Sequence, residues 1–151
     1  MGEPRWLTDD QQKTWRSFVL FQRLLDETLD RQLIRDAQLP HAYYEILVRL
    51  SEAPERRMRM VDLARILRFS QSRLTHAVTA LGRDGLVKRE ACLSDRRGQE
   101  AVLTPIGLET LRAAAPGHVE EVQRAIFDRL APAEAAQFGA ICQRLLDGLD
   151  S

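Results

Sequence analysis

Ser70, Gln71, Ser72, Arg73, Thr75, His76 and Thr79 crowd into ten residues, and between them stand Leu74, Ala77 and Val78. At about 100° of helix per residue the two sets separate. Leu74, Ala77, Val78 and Leu81 share one face and belong in a core. Ser72, Thr75, His76 and Thr79 share the other, with Gln71 and Arg73 at the flanks and the leading end. Short hydroxyls with one or two longer donors suit a helix lying in a DNA major groove about 12 Å wide, where base edges offer hydrogen-bond partners. Arg73 is the side chain able to grip a guanine edge with both arms of its guanidinium. Every amphipathic helix has a polar face, so this face alone does not decide the matter.

A second polar group follows. Lys88 and Arg89 lie in one short strand candidate, Leu86 to Arg89, and Gln99 to Leu103 forms another. Ser94-Asp95-Arg96-Arg97-Gly98 links them as a turn, so the pair is expected to be an antiparallel hairpin. Arginines at such a tip can enter a narrow minor groove, where the potential is most negative. Asp95 is placed to hold one guanidinium by a bidentate pair and set its direction. The plainer alternative is an ordinary surface ion pair.

The charge distribution agrees. The whole chain of 151 residues is neutral, with 22 basic and 22 acidic residues. From Arg56 to Arg97, however, 11 basic residues face four acids, leaving this stretch at +7 and the remainder at −7. A local basic surplus is the footprint of a phosphate-binding surface.

These groups need a frame, and the pattern supplies a mainly α one. Thr8 to about Leu33 has apolar residues at helical spacing, beginning with Trp15, Phe18 and Val19. Pro40 opens a second helix, and Glu52 to Arg57 reads as a loop. Val61 to Leu67 is a short bracing helix, with Ser70 as N-cap of the next, which stops near Gly85. Thr104-Pro105 starts a long helical stretch that Pro116-Gly117 should kink or break. Pro132 starts the last helix, whose Phe138, Ile141, Cys142, Leu145, Leu146 and Leu149 form one apolar stripe. Helix, short turn, helix and hairpin in this order make a winged helix-turn-helix.

The exclusions are equally direct. No apolar run is long enough to span a membrane, and the N-terminal residues lack signal-peptide order, so a cytoplasmic protein is expected. Two cysteines, Cys92 and Cys142, make no disulfide scaffold. Cys142 is read as core and Cys92, beside the basic hairpin, as inert. His41, His76 and His118 are far apart in sequence and lack metal-type spacing, and no nucleophile elbow or P-loop is present, so neither metal, cofactor nor enzymatic activity is expected. The rival to a DNA-binding reading is a winged-helix module that binds protein. Such a module would carry an apolar outer face on its third helix, which this chain lacks.

The chain resembles the multiple-antibiotic-resistance regulator (MarR) family of winged-helix transcription factors. The likeness rests on an ordered set of short matches: Leu47 and Leu50; Leu63, Ala64, Leu67 and Ser70; Leu81, Gly85, Leu86, Val87 and Arg89; then Asp95, Arg96, Arg97, Leu103, Thr104 and Gly107. It implies a homodimer on double-stranded DNA with a pseudo-palindromic operator, acting most often as a repressor and commonly modulated by a small aromatic or phenolic ligand. Residues 1–37 and 104–151 would supply the dimerisation helices, and 38–103 the DNA-binding lobe. By position, Trp15, Phe18, His41, Tyr43 and Tyr44 are the candidates for the ligand pocket. Three features depart from the family: His76 stands where many relatives carry arginine, Pro116 interrupts a helix that is often continuous, and neither cysteine matches the hydroperoxide-sensing branch.

Overall fold

Thr8 opens the first helix by satisfying two backbone groups reciprocally. In the computed structural model, which describes residues 2–150, its hydroxyl accepts the Gln11 N–H at 3.2 Å while Gln11 Oε1 accepts the Thr8 N–H at 3.0 Å. Helix α1 runs from Asp9 to Ala37 and ends at Gln38, which takes a left-handed conformation. Helix α2 (His41–Glu52) starts directly after Pro40. Its leading N–H, that of His41, is capped from α1 by the Asp30 carboxylate at 2.9 Å.

Helices α3 (Met60–Leu67) and α4 (Gln71–Arg83) are joined by a tight turn through Arg68. Ser70 Oγ accepts the Arg73 N–H at 3.1 Å, as its position before α4 predicts. The chain leaves α4 through Gly85 at φ 73°, a region where a Cβ would be strained. Strands β2 (Val87–Ala91) and β3 (Gln99–Leu103) then pair antiparallel, Val87 opposite Leu103 and Ala91 opposite Gln99.

The hairpin is not alone. Arg57, the last residue of the stretch read as a loop, begins strand β1 (Arg57–Arg59), which pairs antiparallel with β3 and makes a three-stranded sheet in the order β1-β3-β2. Nothing local in three residues marks a strand; the pairing comes from its neighbours. Arg57 pins it, its Nε 2.8 Å from Glu100 on β3 and its Nη2 2.8 Å from Glu90 on β2. These two carboxylates hold the Arg57 guanidinium above its ordinary range, Glu100 first.

The core lies under α2, α3 and α4. Leu33, Ile46, Leu47, Leu50, Leu63, Leu74 and Leu81 are fully buried there, so the inward face of α4 is the one its periodicity predicts.

Helix α5 (Pro105–Ala125) runs through Pro116 without a break. Pro116 lies on the exposed side, where its ring meets solvent, and the neighbouring Gly117 stands against Gln32 and Asp36 of α1. Packing along α1 holds the helix through the missing N–H. The chain breaks later, at Ile126, followed by a 3-10 turn at Phe127–Arg129. Helix α6 (Pro132–Leu149) begins at Ala131, which has no capping side chain; Glu134 supplies the acceptor instead, taking the Ala131 N–H at 2.8 Å. No described residue of α6 is buried. Among the described residues, no helix is long and apolar enough to cross a membrane.

Candidate nucleic-acid interface

Helix α4 carries the first set of candidates. Gln71, Ser72, Arg73, Thr75, His76 and Thr79 are all exposed, while Leu74, Ala77, Val78 and Leu81 are buried, so α3 and the sheet hold one face and leave the other bare. Not every hydroxyl is free. Ser70 is spent on the cap and lies 3.3 Å from Ser72 Oγ, and Thr79 donates to the Thr75 carbonyl at 2.7 Å. Thr75, His76, Gln71 and Arg73 therefore remain as the donors best able to reach outward.

Arg73 has a seat that sequence reasoning missed. Its guanidinium lies 4.0 Å from the centre of the Phe69 ring, within the range of a cation–π contact. Arg73 and Phe69 together border an open cleft with Asp26, Glu27, Asp30 and Glu45. Phe69 closes the turn before α4, so the ring that seats the arginine is fixed by the same turn that positions the helix.

The wing carries the second set. Lys88, Arg89, Arg96 and Arg97 are exposed. Lys88 approaches Glu90 at 4.0 Å, whereas Arg96 and Arg97 form no ion pair with any described residue. Asp95 does not grip a guanidinium as its position suggests. Its Oδ1 accepts the backbone N–H of Arg97 at 3.0 Å, and its carbonyl accepts that of Gly98 at 2.9 Å. A short aspartate side chain in a turn reaches the amide two residues on more readily than a side-chain tip. Asp95 thus shapes the turn, and the arginines are left to solvent.

Of the basic surplus, Arg57 is consumed inside the sheet. Arg59 sits at the base of the wing, donating to Ser94 Oγ at 3.2 Å. Cys92 is buried at the same place, with Ser94 Oγ 3.2 Å from its sulfur. Hydrogen bonding to Ser94 first, and Arg59 after it, holds the Cys92 thiol below its ordinary range. Cys142 is half-buried in an apolar groove and is not enclosed in a core.

The five ligand candidates fall in different places. Trp15 and Phe18, whose ring centres are 6.3 Å apart, line an open groove of about 560 Å³ with Phe138, Ile141, Cys142 and Leu145. His41 and Tyr44 border a cavity of about 270 Å³ between α2 and α5 with His118. Tyr43 packs against the core beneath. Burial raises the Tyr44 phenol above its ordinary pKa. The histidines are not all separated: the fold brings His41 and His118 to 5.4 Å between ring centres. No described group of three or more histidine, cysteine or carboxylate side chains could hold a metal ion.

The arrangement matches proteins of known structure over its full extent. A family model described as the MarR family matches residues 39–98. Sco3205, a MarR family transcriptional regulator from Streptomyces coelicolor whose structure is a complex with DNA, is 50% identical; the match covers 99% of this chain and 93% of that one, with a TM-score of 0.95. The chain belongs to the MarR family of transcriptional regulators. AbsC, another MarR family regulator from Streptomyces coelicolor, is 44% identical over 97% of this chain and 99% of its own, with a TM-score of 0.91. A MarR variant from E. coli complexed with operator DNA shares the fold at 20% identity and a TM-score of 0.81, over 94% of this chain and 99% of that one. No curated protein matches the sequence. Membership places the chain among regulators of transcription rather than enzymes.

Proposed function

We propose that the protein is a homodimeric DNA-binding regulator that acts as a repressor on a pseudo-palindromic operator. The observation that carries this reading is the bare polar face of α4, flanked by a wing whose Arg96 and Arg97 pair with no acidic side chain among the described residues. Such a surface is costly to leave unsatisfied in a dry protein contact and well suited to phosphates and base edges. That Sco3205 was solved with DNA supports the same assignment at half identity. In this reading residues 38–103 form the DNA-binding lobe, while α1, α5 and α6 join two copies so that two α4 helices meet successive major grooves. A small aromatic or phenolic effector would enter beside His41 and Tyr44, where apolar rings and polar tips meet.

The deciding experiment is selection of binding sites from random duplexes by the purified protein at fixed salt, because phosphate contacts make affinity steeply salt-dependent. An enriched inverted repeat with half-sites about ten base pairs apart is expected. Only salt-sensitive background binding would overturn the operator reading.

Two substitutions sort the contacts. Arg73→Ala should weaken binding by about 1–3 kcal/mol at a single base-pair position and relax discrimination there. A uniform loss across operator variants would make Arg73 a phosphate contact. Arg97→Ala should weaken specific and nonspecific duplexes alike and lower the salt slope by about one. An unchanged slope would show that the wing stays off the DNA.

A further inference from the structure

His41 and His118 stand where α2, the first helix of the proposed DNA-binding lobe, meets α5 through aromatic rings. Tyr44 completes the stack, its ring centre 4.4 Å from that of His118. His118 Nδ1 is buried without a hydrogen-bond partner. A buried polar nitrogen with no partner is tolerable while the ring is neutral and becomes expensive once it is charged.

The charged groups around it do not relieve that expense. From α2, Glu45, Arg49 and Glu52 border the adjoining cavity of about 270 Å³. From α1, Asp30 accepts the His41 N–H, and Asp36 accepts from Gln32 and Arg35. On α5 itself, Glu121 is paired with Arg124. Among the described residues no carboxylate hydrogen-bonds to His118, and its titratable ring neighbours are the Tyr44 phenol at 4.4 Å and the His41 imidazole at 5.4 Å.

We propose that the His41–Tyr44–His118 stack is a proton-operated wedge: protonation of His118 drives its ring out of the stack, loosens α2 against α5 and lowers affinity for DNA. The DNA part rests on the function proposed above; the wedge itself does not. Burial first, and His41 second, hold His118 below its ordinary pKa of 6.5. The sign follows. The closed stack binds a proton less readily than an arrangement with the ring in water, so the closed form is fully favoured above about pH 6.5 and loses ground as the pH falls below it. Two α4 helices that must match successive grooves tolerate little movement of the lobe, so a modest loosening reads out as lost affinity.

The test measures affinity for the selected duplex in a His76→Asn background, which leaves no imidazole on the outer face of α4. Lowering the pH from about 7.5 to about 5.5 at fixed salt should weaken binding by about threefold or more, and adding His118→Phe should flatten the profile. Hydrogen exchange reads the wedge without DNA: protection in α2 and α5 should fall in acid with His118 present and hold with His118→Phe. The same pH profile in both proteins, or exchange indifferent to pH, overturns the proposal. Absence of DNA binding at every pH would refute the DNA-binding reading, and the exchange result would then decide the wedge. Should His118→Phe fail to fold, the imidazole resonances of the unsubstituted protein settle the question: titration of His118 at or above its ordinary value overturns the wedge.

Discussion

Gly107→Ala should destabilise the protein by about 3 kcal/mol, at the upper end of what overpacking a core position usually costs. Gly107 lies in the first turn of α5, where a Cβ would fall 2.1 Å from the Leu86 carbonyl oxygen and 2.8 Å from Leu103 Cδ1. The carbonyl cannot retreat freely, since Leu86 O accepts the Thr104 N–H at 3.1 Å. Thr104 is itself committed: its hydroxyl accepts the Gly107 N–H at 3.0 Å and donates to the Gly85 carbonyl at 2.6 Å. One added methyl group therefore disturbs the end of α4, the entry to the wing and the cap of α5 together. Gly82→Ala in α4 is the control. Its Cβ would meet only the Val87 carbonyl oxygen, at an ordinary 3.6 Å, so helix propensity should make it neutral or stabilising by up to about 1 kcal/mol. Urea unfolding of both variants checks this. A midpoint for Gly107→Ala that matches the control would mean that the Leu86–Thr104 connection yields, and the argument for a rigid joint between lobe and long helix would fail.

The same joint shows what was legible in the sequence. Thr104-Pro105 announces a helix start because a cap is a local device, and Ser70 before α4 is read for the same reason. The two faces of α4 follow from periodicity alone, and every exposed and buried residue assigned there falls where its spacing puts it. What escaped depends on partners distant in the chain. Strand β1 exists because Arg57 meets Glu90 and Glu100, 33 and 43 residues away. The pairing of His41 with His118 needs α5 laid across α2. Phe69 reads as a hydrophobic residue in a turn until Arg73 is seen over its ring. Asp95 was misjudged on a local point, the choice between a guanidinium and a backbone amide, where the shorter reach prevailed. Pro116 does not break α5, because a proline's effect on a helix depends on which side of the helix it occupies and on what packs along the other.

Leu145→Asp should convert the proposed dimer to a monomer at micromolar concentration and weaken operator binding by about a thousandfold, since specific binding commonly exceeds nonspecific binding by that factor or more. The chain leaves Trp15, Phe18, Leu20, Phe21 and Leu24 of α1 exposed together with Ile141, Leu145, Leu146 and Leu149 of α6. Single exposed apolar residues are ordinary, but Trp15, Phe18, Ile141 and Leu145 border one apolar groove, and in the proposed homodimer a second copy of the same surface covers it with closed symmetry. In such an interface each substitution appears twice, placing two carboxylates in an apolar seam without partners. The side chain itself makes the experiment clean. Leu145 is 57% exposed within one chain, so aspartate there removes little from the folded protomer, and an unchanged far-ultraviolet spectrum with native-like cooperativity should accompany the monomer. Sedimentation over a concentration series separates the outcomes. A Leu145→Asp protein that stays dimeric and binds its operator undiminished would show that this face is not the one joining two copies. A monomer that retains full affinity would show that one lobe suffices for recognition. A folded monomer with only nonspecific affinity is the expected result, because each lobe then meets the duplex alone and the register between half-sites, which only a rigid pair can impose, is gone.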